Sequence, residues 1–144
     1  MQHLTIEQAQ YIAHQLAINL MDYTDEPIPP FETRYPNILE SCLEQPFQSF
    51  DGEDLYPSQY LKAALMFYLV IKNHPFRNGN KRMAIALTLT FLYLNGQMLY
   101  ITNADLYNIA LNVASSNQSM QKDIVNTLYE IFRVSAGSSE TYTN

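Results

Sequence analysis

The chain has 144 residues, of which 47% are hydrophobic and 15% charged, and its formal net charge is -6. That length fits one domain with one core, and the balance excludes a disordered chain, which carries the reverse proportions. The negative charge repels phosphate backbones, so nonspecific binding to nucleic acid is not expected.

Cys42 is the one cysteine, so no intramolecular disulfide can form, which suits a reducing compartment. It lies in Leu39-Glu40-Ser41-Cys42-Leu43, an ordinary helical stretch where a buried thiol is inert. The start of the chain lacks a basic segment followed by an apolar run, so no signal peptide is read. The longest apolar stretch, Met83–Leu94, is interrupted by Thr88 and Thr90. It is also shorter than the ~20 residues that span a bilayer. A soluble cytoplasmic protein is expected.

In chain order, Thr5 and Gln8 make a capping box that predicts a helix from near Ile6. Its apolar face would be Ala9, Ala13, Leu16, Ala17 and Leu20. Asp25–Pro36 holds Pro27, Pro29, Pro30 and Pro36 and reads as an extended loop. A short helix is expected over about Asn37–Glu44, then an irregular stretch from Pro46 to Pro57. Within it, Asp51-Gly52-Glu53-Asp54 lacks the ligand pattern of a calcium loop and reads as a turn with a helix start.

A strong helix is predicted from Pro57 to about Asn73, with Tyr60, Leu61, Ala64, Leu65, Tyr68 and Leu69 at helical spacing. After a break, a second runs from Asn80 to Asn95. It is apolar nearly all round, through Met83, Ile85, Leu87, Leu89, Phe91, Leu92 and Leu94, which marks a central buried helix. Asn95-Gly96 ends it. Gln97–Ile101 is extended, Asn103 caps a helix to about Ala114, and Met120–Val134 forms the last helix with Ile124, Leu128, Ile131 and Phe132 inward. The predicted architecture is all-α: one domain over 1–134, a helical bundle with its buried central helix after the break, and a flexible polar tail over 135–144.

The break, His74-Pro75-Phe76-Arg77-Asn78-Gly79-Asn80-Lys81-Arg82, joins the two core helices. A glycine turn leads into the first turn of a buried helix, whose N–H groups and dipole favour an anion. Asn80 can cap the helix or bond a phosphate oxygen. Lys81 and Arg82 oppose the dipole, a cost that a polyphosphate would relieve. His74 can take a proton from a hydroxyl near neutral pH. Each element alone has an ordinary reading as cap, turn or solvated charge, but nine consecutive residues hold them all.

This segment resembles the signature of the Fic/Doc family, His-x-Phe-x-(Asp/Glu)-Gly-Asn-(Gly/Lys)-Arg. His74, Phe76, Gly79, Asn80, Lys81 and Arg82 match it, and Asn78 departs. The order of elements, including Leu39-Glu40-Ser41, is similar to that of the Doc (death on curing) type over about Leu4 to Arg133, which implies a Fic-like helical bundle. The resemblance implies that His74 is the catalytic base and Phe76 a core anchor. Gly79, Asn80 and Lys81 would line a phosphate nest, and Arg82 would pair with phosphate oxygens. Residues Pro27–Arg34 would be the flap that positions a target polypeptide.

Lys81 and the isoleucine at position 85, where Fic adenylyltransferases carry a second arginine, look like Doc. The implied reaction is phosphate transfer from ATP or another nucleoside triphosphate to a hydroxyl of a target protein, translation elongation factor Tu being the known example. The alternatives are adenylyl transfer to a protein hydroxyl, or a Fic fold that binds a nucleotide or partner without catalysis. Asn78 stands where the family has an acid that helps hold Mg²⁺, so the metal is expected but weakly held. No Ser/Thr-x-x-x-Glu-Gly/Asn inhibitory segment is found, which implies restraint by a separate antitoxin chain, as with the Phd antitoxin of Doc. His3 and His14 lack companions at metal-ligand spacing. The eleven tyrosines fall mostly at helical spacing and read as core and rim residues.

Overall fold

The computed structural model describes residues 1–20 and 27–138. Among these residues are six helices, as the all-α reading expected, and two small β pairs. Helix α1 (residues 6–20) starts on the Thr5 and Gln8 capping box. It is α-helical over Ile6–Gln8, π-helical over Ala9–Ala13, and α-helical again over His14–Leu20. Ala9, Ala13 and Ala17 are fully buried, and His14 joins them. Leu16 is only partly covered, and the side chain of Leu20 lies outside the described residues.

Of the expected Asp25–Pro36 loop, residues 25 and 26 lie outside the described residues. The remainder runs extended into a 3-10 turn at Phe31–Thr33. Helix α2 (Pro36–Glu44) begins one residue earlier than expected, because proline is well suited to a first helical turn. The stretch after it differs from the expected turn and helix start. Strands β1 (Ser49–Phe50) and β2 (Glu53–Asp54) pair antiparallel around Asp51-Gly52. Both turn residues have positive φ, 55° and 78°, the geometry for which Asp-Gly is the favoured two-residue hairpin connection.

Helices α3 (Gln59–Asn73) and α4 (Asn80–Leu94) make the centre. Ser58 caps α3, its hydroxyl accepting from Tyr60 N–H at 3.1 Å. Every residue from Lys62 to Ile71 is buried. Burial of an apolar side chain such as Leu65, Phe67 or Ile71 contributes about 1.5–3 kcal/mol. Helix α4 is buried from Arg82 through Thr88 and again from Thr90 to Leu92, as its all-round apolar pattern predicted.

Lys62 is 1% exposed. Its ammonium reaches the Tyr56 carbonyl at 2.6 Å, the Pro46 carbonyl at 3.2 Å and Asp54 Oδ2 at 3.3 Å. It also sits 4.9 Å from the Phe47 ring centroid. A buried ammonium needs such partners, and here they tie the irregular stretch before α3 to the core.

Strand β3 (Gln97–Leu99) follows α4. Helix α5 (Asn103–Ser115) is capped by Thr102, whose hydroxyl accepts from Asp105 N–H at 3.1 Å, not by Asn103 as expected. Helix α6 (Gln121–Ser135) packs on α3, with Phe132 edge-on to Phe67 at 5.6 Å between ring centroids. Its buried stripe is Val125, Leu128 and Phe132, while Ile124 and Ile131 are only partly covered.

The expected flexible tail is corrected at its start. Strand β4 (Ala136–Ser138) pairs antiparallel with β3, and Tyr100 N–H donates to Ser135 O at 2.8 Å. Gly137 lets the Tyr100 ring approach, since a Cβ there would meet Tyr100 Cε2 at 2.5 Å. Ala-Gly-Ser has little strand preference of its own, so the pairing comes from β3 and not from local sequence. Residues 139–144 lie outside the described residues.

Candidate active site

The break between α3 and α4 is a tight loop whose conformation comes from residues His74 to Asn80. His74 ends α3 in the left-handed region, with φ 53° and ψ 63°. That conformation is uncommon for a residue with a Cβ, although histidine tolerates it better than most. Pro75 and Phe76 turn inward. Pro75 O accepts from Tyr35 N–H at 2.8 Å. The Phe76 ring packs against Phe31 at 6.0 Å and against His14 at 6.5 Å. Gly79, at φ 73°, then opens α4. Glycine provides no side chain to accept from the first-turn N–H groups, so this helix start keeps its anion-attracting character.

Asn80 is a strut more than a cap. Its Oδ1 accepts from Phe76 N–H at 3.0 Å, and its Nδ2 donates to Phe76 O at 2.9 Å. These two bonds fix which end of the carboxamide is which. The same Nδ2 lies 3.3 Å from His74 Nδ1 and must be the donor there. Neutral His74 therefore keeps its lone pair on Nδ1 and its proton on Nε2.

A pocket of about 150 Å³ opens here, lined by Ile71, His74, Arg77, Asn78, Gly79, Asn80, Lys81 and Ala114. It is smaller than the ~300–1,000 Å³ of a site that encloses a whole small molecule, and it suits a phosphate group. The structure thus brings together His74, Asn78, Gly79, Asn80 and Lys81. Arg82, 5% exposed in the first turn of α4, is not among the lining residues, whereas exposed Arg77 is. Lys72 holds the far wall, donating to Ser116 O at 2.6 Å and Ala114 O at 3.4 Å at the end of α5.

The donor set does not fit a protein-held Mg²⁺. Among the described residues no carboxylate lines the pocket, Asn80 Oδ1 is engaged by Phe76 N–H, and Asn78 supplies one neutral oxygen. Among the described residues, no group of three or more His, Cys, Asp and Glu side chains could hold a metal. No helix among them is long and apolar enough to cross a membrane.

The Pro27–Arg34 segment lies against the loop. Ile28 Cδ1 stands 2.7 Å from where a Cβ on Gly79 would be, and Pro27 O stands 3.6 Å from it. Gly79 is therefore required twice, by its φ and by this approach. Two further residues pack near the site, one read correctly from the sequence and one whose role carried no signal. Cys42, buried under α3, has its thiol pushed up from an ordinary 9.0 to about 12 by burial, which a hydrogen bond from Asn73 partly offsets. It is inert, as its helical setting suggested. His14, dismissed as a metal ligand, touches both the flap and Phe76.

Residues 3–92, more than half of the chain, match the model of the Fic/DOC family. The chain is similar to the protein named Toxin Doc of Mycolicibacterium smegmatis (strain ATCC 700084 / mc(2)155), at 37% identity over 62 residues. That match covers 43% of this chain and 48% of the relative, so it spans about half the relative's length. No solved structure gives a significant match. The signature from His74 to Arg82 lies inside the matched span, and the chain belongs to the Fic/DOC family.

Proposed function

We propose that the protein is a toxin-type, Doc-like transferase that moves a phosphate group from a nucleoside triphosphate to a hydroxyl of a target protein. The observation that carries this reading is His74, its lone pair directed by Asn80, beside a glycine-started helix with Lys81 at one phosphate-sized pocket. The target oxygen attacks the γ-phosphorus, the bond from that phosphorus to the β–γ bridging oxygen breaks, and the nucleoside diphosphate leaves. His74 takes the hydroxyl proton on Nδ1, and the long contact with Asn80 Nδ2 gives way to it. The N–H groups at the start of α4 and the Lys81 ammonium hold phosphate oxygens, which is the positioning and charge stabilisation such a transfer needs. Arg82, in the first turn of the same helix, adds its positive charge from outside the pocket lining. Asn78 would offer Mg²⁺ only one neutral oxygen, so the protein would add little to metal binding.

The test is incubation of the purified protein with a lysate and ATP labelled at the α or the γ position. γ label on a protein supports the proposal, whereas α label means adenylyl transfer. If neither label is transferred, the second reading is favoured, a nucleotide- or partner-binding module without catalysis, which rests on Asn78 standing where the family has an acid. A separate antitoxin chain is the proposed restraint. Expression of this chain alone should slow bacterial growth in a His74-dependent way, and harmless expression of folded protein counts against a toxin.

A further inference from the structure

We propose that His14 is a positioning residue for the transfer reaction: it clasps the flap to the motif loop and so sets where a target polypeptide lies. This deepens the transferase reading above and rests on it. His14 is 6% exposed and is the first residue after the π-helical turn of α1. Its Nε2 lies 2.8 Å from the Pro29 carbonyl oxygen. A carbonyl only accepts, so Nε2 carries the proton and donates it.

One imidazole touches three parts of the site. It bonds the flap at Pro29, meets the Phe31 ring edge-on at 5.6 Å, and packs on Phe76 of the motif at 6.5 Å. The flap needs an external donor of this kind. Pro27, Pro29 and Pro30 have no N–H, so this stretch has few donors with which to bond itself in place. Its second tether, Tyr35 N–H to Pro75 O at 2.8 Å, lies beyond Phe31. The two bonds clamp the flap on either side of Phe31, and Ile28 then rests on Gly79. A leucine or phenylalanine could fill the same space, but only a donor at this position holds the Pro29 carbonyl. The clasp lies away from the phosphate pocket, whose lining includes neither His14 nor Pro29. It therefore governs the protein acceptor and not the nucleotide.

The experiment compares the full native chain with His14→Phe and His14→Gln. The glutamine amide can restore a donor near the position of Nε2, and phenylalanine cannot. Amide hydrogen exchange over residues 27–36 and tryptic cleavage after Arg34 report the flap directly. Transfer from γ-labelled ATP to lysate protein, at varied lysate and varied ATP, reports the acceptor and nucleotide separately. His14→Phe should speed flap exchange and cleavage by about tenfold, the scale of one hydrogen bond. It should raise the half-saturating lysate concentration severalfold, leaving the KM for ATP within twofold, and His14→Gln should stay close to native in all of these. If His14→Phe does not fold, His14→Leu replaces it in the comparison. Native flap exchange in the apolar variant overturns the clasp, as does an equal rise in both KM values or a glutamine variant as impaired as phenylalanine. If the native protein transfers no label, the transferase reading fails, and flap exchange alone decides the clasp.

Discussion

Helices α3 and α4 are the same length, 15 residues, and lie side by side in the core, yet their starts are built differently. At α3 the Ser58 hydroxyl closes the first turn, and Lys62 reaches back to two carbonyls and Asp54. At α4 the cap position is Gly79, which has no side chain, and the adjacent amide of Asn80 turns back to hold Phe76 and His74. The first start is satisfied by its own chain and holds structure together. The second is kept open toward a pocket that His74 also lines.

The sharpest way to break this contrast is to remove one side chain from each start. His74→Ala should lower transfer by about 10²–10⁴, the usual range for loss of a general base, with little change in melting temperature. Measured label transfer and a thermal scan on the same preparation decide it, and near-native turnover would overturn the base assignment. Lys62→Met should do the opposite. It leaves the Tyr56 and Pro46 carbonyls without their donor, and a denaturant titration should show a loss on the order of 3 kcal/mol. The Asp54 pair contributes little to that figure, since Asp54 is largely solvated and exposed pairs are weak. If Lys62→Met is neutral, the closed start is not a stability device.

The contrast was only partly legible in the amino-acid order. The motif could be read because its residue types recur at fixed spacing, and the helix after it because its apolar positions run all round. Lys62 could not be read: a lysine in a helical pattern is normally solvated, and its burial depends on Pro46, Asp54 and Tyr56 arriving from another part of the chain. The strut role of Asn80 was hidden for a related reason, since a cap, a phosphate ligand and a strut share the same chemistry until His74 is seen in its left-handed conformation. The Asp51-Gly52 hairpin was available from turn chemistry, but the acidic residues after it suggested a helix start. Strand β4 had no signal in Ala-Gly-Ser. The role of His14 rests on a contact with Pro29 that no spacing encodes.

Two smaller effects sharpen the reading of the open start. Arg82→Ala should weaken ATP binding by about 1.5–3 kcal/mol, the range for hydrogen bonds to a charged group. Arg77→Ala should cost less than about 1 kcal/mol, because an exposed charge is screened. A calorimetric titration of both variants distinguishes them, and the reverse order would place the phosphate on the exposed side of the pocket, toward Arg77. Asn78→Asp should change least in overall binding but add a charged oxygen to a lining that has none among the described residues. Mg²⁺ titrated against both forms with ATP should show tighter metal dependence for the aspartate. Identical curves would mean that position 78 does not face the metal.

The π-helical turn over Ala9–Ala13, which includes exposed Tyr11 and Ile12, places an extra residue in one turn of α1. A regular helix advances about 100° per residue, so this turn works as an angular offset between the halves on either side of it. His14 opens the half that follows the turn, so the offset sets the direction in which its imidazole faces. Loss or gain of a single residue in this stretch would therefore act as a rotation and not as a change of length. It would swing the imidazole away from Pro29 while leaving every residue of the motif in place.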